Sequence, residues 1–216
     1  PQREVTVPTF WMMRSEVTVG QYRACVNAGA CTVPGCNEET EWENWLSCNY
    51  AQNRETHPVN YVSWTQTRAF GAWVGADLPT EAQWEFAARS RGQNITYPWG
   101  DQAPNCTRAD WDNTGDDVGC NGAGTSPVCS FRDGDSDQGL CDLAGNLWEW
   151  VLDEYGNYDE APVDGSPRCS SADCPGGANR VYRGGSRHAG AAYLRAVHRV
   201  NGNYGPSIQS HHVGGR

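Results

Sequence analysis

Asp77-Leu78-Pro79-Thr80-Glu81-Ala82-Gln83-Trp84-Glu85-Phe86-Ala87-Ala88-Arg89 holds a helix start, a short helix and its core-facing side chains in one run. Pro79 discourages helix before it, and Thr80 and Gln83 form a capping box: the Thr oxygen accepts the amide three residues on while the Gln side chain reaches back. The helix that follows carries Trp84, Phe86, Ala87 and Ala88. The same logic recurs upstream. Thr18-Val19-Gly20-Gln21 starts a helix through Tyr22 and Val26 that ends near Gly29, and Ser63-Trp64-Thr65-Gln66 starts one that stops at Gly75. Residues 3–13 alternate well enough for a first strand, and further strands are predicted at Leu147–Val151, Val181–Arg183 and Leu194–Val200. Residues 32–56 read as polar and irregular, anchored by Trp42 and Trp45. Between Tyr97 and Gly145, Gly, Asp, Asn and Pro predict turns and loops.

Read in order, the motifs form a set. To the Asp77–Arg89 run are added Glu16-Val17-Thr18, Pro58-Val59-Asn60-Tyr61-Val62-Ser63-Trp64, Tyr97-Pro98-Trp99-Gly100-Asp101, Gly139-Leu140-Cys141-Asp142-Leu143-Ala144-Gly145-Asn146-Leu147-Trp148-Glu149-Trp150-Val151 and Arg180-Val181-Tyr182-Arg183-Gly184-Gly185-Ser186. Together they resemble the formylglycine-generating-enzyme, or sulfatase-modifying factor, family over nearly the whole chain. The resemblance implies an α+β fold related to C-type lectins, with little regular secondary structure. It also implies that the Trp residues of the Trp148–Trp150 and Tyr97–Asp101 runs are core. No linker divides the chain, so a single domain over 1–216 is expected.

Ten cysteines, an even number, occur without a paired C-x-x-C arrangement of the zinc or thioredoxin kind. They predict up to five disulfides and an extracytoplasmic setting: secreted, cell-surface or periplasmic. Neighbours in sequence suggest Cys106–Cys120, Cys129–Cys141 and Cys169–Cys174. The net charge of −10 speaks against nucleic acid and anionic membrane surfaces as partners, since both recruit basic footprints. No apolar stretch is long enough for membrane insertion. No secretory leader is visible, which reads as a trimmed N-terminus. Asn94-Ile95-Thr96 and Asn105-Cys106-Thr107 match the N-glycosylation pattern.

The family's enzymes oxidise a sulfatase cysteine to formylglycine with copper held by two cysteine thiolates. Counted from the Arg183–Ser186 motif, those positions fall on Ala189 and Leu194, neither of which binds copper. Copper is therefore not expected, and the resemblance points to a pseudoenzyme. It also implies one structural calcium, with side-chain oxygens from Asp142 and Glu149 and carbonyls from Gly145 and Leu147. A second family calcium loop is rebuilt here around Cys106 and Cys120, with Asp110 and Asn121 as remnants.

Four of the five histidines lie near the end of the chain. The segment 187–212 offers Arg187, His188, Tyr193, His198, Asn201, Asn203, Tyr204, Gln209, His211 and His212, residue types that adaptable binding surfaces favour. The leading expectation is a non-catalytic recognition module that binds a protein or glycan ligand through this segment. Two alternatives stand beside it: a structural or assembly subunit of a larger extracellular complex, and a divergent formylglycine-type oxidase or metal enzyme using the C-terminal histidines.

Overall fold

The computed structural model describes residues 3–36, 47–122, 124–170, 174, 179–202, 207 and 209–216. Trp42, Trp45, Asn203 and Tyr204 lie outside the described residues. Among those described there are three α-helices, α1 (Val19–Asn27), α2 (Trp64–Trp73) and α3 (Glu81–Ala88), and four strands, β1 (Trp148–Glu154), β2 (Arg180–Arg183), β3 (Arg199–Gly202) and β4 (Val213–Gly214). The sheet order is β3-β2-β1-β4. β2 runs antiparallel to both β1 and β3, and β4 pairs parallel with β1.

All three helices begin at the predicted capping boxes. Thr18 Oγ1 accepts from Gln21 N–H at 3.2 Å, and Gln21 returns the bond to the Thr18 amide at 2.9 Å. Ser63 with Gln66 and Thr80 with Gln83 repeat the exchange. Each box satisfies donors that a helix start would otherwise leave open.

Period-two alternation splits the side chains of β1 between two cores. Trp150 and Leu152 pack with Trp64, Leu78 and Val213, while Val151 packs with Trp84, Leu143, Val181 and Ala196. Buried indoles need a partner for their N–H. Trp64 donates to Val151 O at 2.8 Å, Trp150 to Val62 O at 3.2 Å, and Trp84 to the Glu149 carboxylate at 2.6 Å. A third core, around Val17, Tyr22, Val62 and Phe70, joins α1 to α2.

The Asp77–Arg89 and Arg180–Ser186 motifs are tied by buried charge. Arg183 of β2, fully buried, donates to Glu81 at 2.8 Å and Glu85 at 2.6 Å, both on α3. Arg199 of β3 closes the group with two bonds to Glu81. Ten cysteines form five disulfides: Cys25–Cys31, Cys36–Cys48, Cys106–Cys120, Cys129–Cys141 and Cys169–Cys174. Three of these are the pairs expected from sequence proximity.

Three expectations are corrected. Residues 3–13 form no strand: alternation supplied a face, but among the described residues no strand pairs with it, and the Thr6 amide donates to the Val163 carbonyl. The strand expected from Leu194 starts at Arg199 instead. Leu194 closes a 3-10 turn, Ala191–Leu194, that drives its side chain into the core, and the chain reaches the β2 edge only where Arg199 meets Arg183. Trp99 and Trp148 are partly exposed rather than core. Trp99 stacks on Tyr97 with ring centroids 5.0 Å apart.

Candidate functional site

The Asp142–Glu149 turn is built on left-handed backbone at Asp142, Gly145 and Asn146, with φ of 58°, 87° and 59°. Such φ values favour Gly and Asn. At Gly145 only glycine fits, because a Cβ would stand 2.2 Å from the Asp110 carbonyl oxygen. Gly145→Ala therefore combines left-handed strain with a backbone clash and should cost about 3 kcal/mol in urea unfolding. Gly75→Ala, at φ 79° but with nothing within 4 Å of its Cβ, isolates the strain alone and should cost about 1 kcal/mol. Equal losses would remove the clash from the account.

This turn encloses a charged centre. Glu149 is fully buried and takes Arg216 through three contacts of 2.7 to 3.1 Å, besides the Trp84 indole. Arg216 also donates to the carbonyls of Met13, Arg14 and Cys141. Glu16, likewise fully buried, accepts from the Leu147 amide and the Asn146 side chain. Asp142 accepts from the Cys129 amide. Burial, reinforced by the neighbouring carboxylates, holds the Glu16 pKa well above its ordinary value, and burial pushes Asp142 up to about 6. Three buried carboxylates thus face one guanidinium.

An all-oxygen donor set with excess negative charge is what a hard divalent cation requires. The Asp142 and Glu149 carboxylates are donors of that kind, but here both Glu149 oxygens accept from Arg216, one of them also from Trp84, and Asp142 accepts from the Cys129 amide. Glu16 and Arg216 carried no role in the sequence reading. Glu16 stands in the polar stretch Arg14-Ser15-Glu16, where nothing local marks it for burial. Nearby, Asp110 and Asn121 meet at the Ser126 hydroxyl, each at 2.6 Å, beside the Cys106–Cys120 bridge.

The segment after β2 forms a second feature, a face of aromatic and histidine rings. Trp148 meets Tyr182 edge-on at 5.2 Å, and Tyr193 and His198 each at 6.1 Å; Tyr193 and His198 lie 4.8 Å apart. Tyr193 is 46% exposed. Trp148 and Tyr182 are additions to the predicted face. Trp148 shares its side of β1 with the buried Trp150 but sits at the open end of the strand.

His188, His211 and His212 form a second ring cluster, with His188 4.2 Å from His212 and His211 3.5 Å from His212 between centroids. Burial lowers the His211 pKa to about 4 and that of His212 to about 3, with the neighbouring rings and Arg187 adding to the shift. Arg187 itself is buried rather than presented, with Asp110 as its charge partner. Asn201 lies on β3 and is half-buried, and Gln209 is exposed and donates to Gln66 at 2.6 Å. Ala189 and Leu194 are both buried. No cysteine is free. Among the described residues, no helix is long and apolar enough to cross a membrane.

A small curled sheet flanked by short capped helices, stapled by disulfides and closed by a buried carboxylate–guanidinium centre, defines a formylglycine-generating-enzyme-like α+β domain. Residues 1–216 match the family model described as sulfatase-modifying factor enzyme 1-like domain, and the chain belongs to that family. It is 44% identical over 107 residues to inactive C-alpha-formylglycine-generating enzyme 2 of Bos taurus, covering 48% of this chain and 35% of that protein. It is 37% identical over 140 residues to the formylglycine-generating enzyme of Thermomonospora curvata, covering 62% and 46%. To hercynine oxygenase of Mycobacterium tuberculosis it is 30% identical over 217 residues, covering 90% and 49%. The chain therefore spans less than half the length of each of these relatives. Among solved structures, PvdO from Pseudomonas aeruginosa superposes with a TM-score of 0.71 at 25% identity, covering 94% of this chain and 77% of that one. Treponema denticola variable protein 1 shares the fold at a TM-score of 0.65 and 21% identity, covering 94% and 81%.

Proposed function

We propose that this domain is a non-catalytic recognition module of an extracytoplasmic protein, binding a protein or glycan through the face made by segment 187–212. The observation that carries the reading is the ring cluster of Trp148, Tyr182, Tyr193 and His198 on a disulfide-stapled frame. Aromatic side chains give large contact area at low entropic cost, and a rigid scaffold limits what binding must order. The absence of catalysis is supported by the pairing of every cysteine, by the buried Ala189 and Leu194, and by the likeness to an inactive relative. Five disulfides support the oxidising compartment. One calcium held by Asp142, Gly145, Leu147 and Glu149 belongs to the same reading, as a brace beneath the face rather than part of it.

The test is capture from the source organism's envelope and culture supernatant, with wild-type domain and Tyr193→Ala/His198→Ala as paired baits. Loss of two central aromatic anchors should weaken a captured ligand by about 2 kcal/mol or more, roughly 30-fold. A ligand retained equally by both baits would place binding on another surface and favour the assembly-subunit reading.

A further inference from the structure

We propose that His188, His211 and His212 form a site for a borderline divalent transition metal of the zinc kind, with at least one coordination position open to solvent. The site is separate from the oxygen centre around Glu149 and stands whatever the neighbouring face binds.

Each of the three rings offers one nitrogen, and these nitrogens all lie within 4.8 Å of one another. Zinc–nitrogen bonds of about 2.0–2.1 Å in tetrahedral geometry set the nitrogens roughly 3.3 Å apart, so modest side-chain rotation closes the set. His188 Nε2 and His212 Nδ1 are buried, and neither has a hydrogen-bond partner among the described residues. An unpartnered buried polar atom is costly, and a metal ion would satisfy both nitrogens at once. The rings pack closely, His188 edge-on to His211 at 86° and to His212 at 79°.

The frame holds the ligands from two directions. Trp148 N–H donates to the His212 carbonyl at 2.8 Å, where β4 joins β1, and Arg187 N–H donates to the Asn146 carbonyl at 3.0 Å just before His188. The other side of the His188 ring faces the Asp117 backbone, with the Asp112 and Asp117 carboxylates close by. A backbone or carboxylate partner behind a ligating imidazole is the usual second support of a metal site, and it orients the ring. Ligand chemistry fixes the class of ion. Imidazole suits zinc, nickel, copper and iron, whereas calcium requires oxygen. Three protein ligands, all half-exposed, leave a position for water or a donor atom of a bound ligand. The other grouping of metal-ligand types, Cys129, Cys141 and Asp142, supplies no thiolate because the two cysteines form a disulfide.

The experiment is calorimetric titration of chelator-stripped protein with zinc chloride in excess calcium, run on wild type, His188→Gln, His212→Gln and His57→Gln, the last at the histidine outside segment 187–212, whose ring meets the Thr125 hydroxyl at 3.0 Å. Wild type and His57→Gln should bind one equivalent with equal affinity. His188→Gln and His212→Gln should each weaken binding by at least about 100-fold, more than loss of an outer-shell partner causes. Equal binding by all four proteins, or less than one equivalent in wild type, would overturn the site. Should the glutamine variants fail to fold, X-ray absorption at the zinc edge of the wild-type complex decides instead: imidazole scattering supports the assignment and an all-oxygen shell refutes it.

Discussion

Reduction of the folded chain should unfold it at room temperature. The five disulfides close loops with sequence separations of 5, 6, 12, 12 and 14 residues. Loop-closure entropy assigns each about 2–3 kcal/mol, on the order of 10–13 kcal/mol together. That is comparable with the whole net stability of an ordinary domain, about 5–15 kcal/mol. A chain with three short helices and a four-stranded sheet has little regular structure with which to compensate. Tryptophan fluorescence and circular dichroism, followed with and without dithiothreitol, should show cooperative loss of structure as the thiols become alkylatable. A native spectrum with all ten thiols modified would show that the aromatic cores suffice and that the bridges are secondary.

The second large effect belongs to Arg216. Arg216→Met leaves Glu149, Glu16 and Asp142 in the interior without their guanidinium, and it strips a donor from the carbonyls of Met13, Arg14 and Cys141. Breaking one side of a buried pair costs about 3–5 kcal/mol. In a domain of this size the melting temperature should fall by about 10 °C. The double variant Arg216→Met/Glu149→Leu removes both charges and should lose clearly less, because a buried pair replaced by apolar groups is often near neutral. A single variant within about 1 kcal/mol of wild type would show that the charges are screened by water.

The same proteins test the proposed calcium. At about a hundred times its dissociation constant, calcium should add about 2.7 kcal/mol to wild type. The increment should be larger in Arg216→Met, where three carboxylates are left facing the ion, and it should be lost in a further variant, Asp142→Ala, which removes the side-chain oxygen that Asn would keep. Melting curves identical in calcium and in EGTA would remove the ion from the centre.

Helix starts were legible because a capping box is local: Thr18, Ser63 and Thr80 each reach a residue three positions away, and no distant partner decides the bond. Three disulfides were legible for the same reason, since short loops close on sequence neighbours. The strand expected at 3–13 failed because a strand exists only against another strand, and nothing in its own alternation names one. Trp148 was misjudged as core because apolar character says only that a side chain can be buried. Whether it is buried depends on what lies across the end of β1.

For the candidate site the division runs along the same line. The amino-acid sequence by itself determined the family, the helix starts, the cysteine inventory and the types of residue between 187 and 212. Those follow from residue identity and from contacts a few positions apart. Only the tertiary structure decided that Glu16 and Arg216, 200 residues apart, share the charged centre of the Glu149 turn. Only it turned Arg187 inward and brought His188 to His211 and His212. Sheet pairing did this: β2 and β4 flank β1 on opposite edges, so the turns after β2 and before β4 arrive at the same end of the sheet. Convergence of that kind is a property of chain topology, and it leaves no local trace in the order of residues.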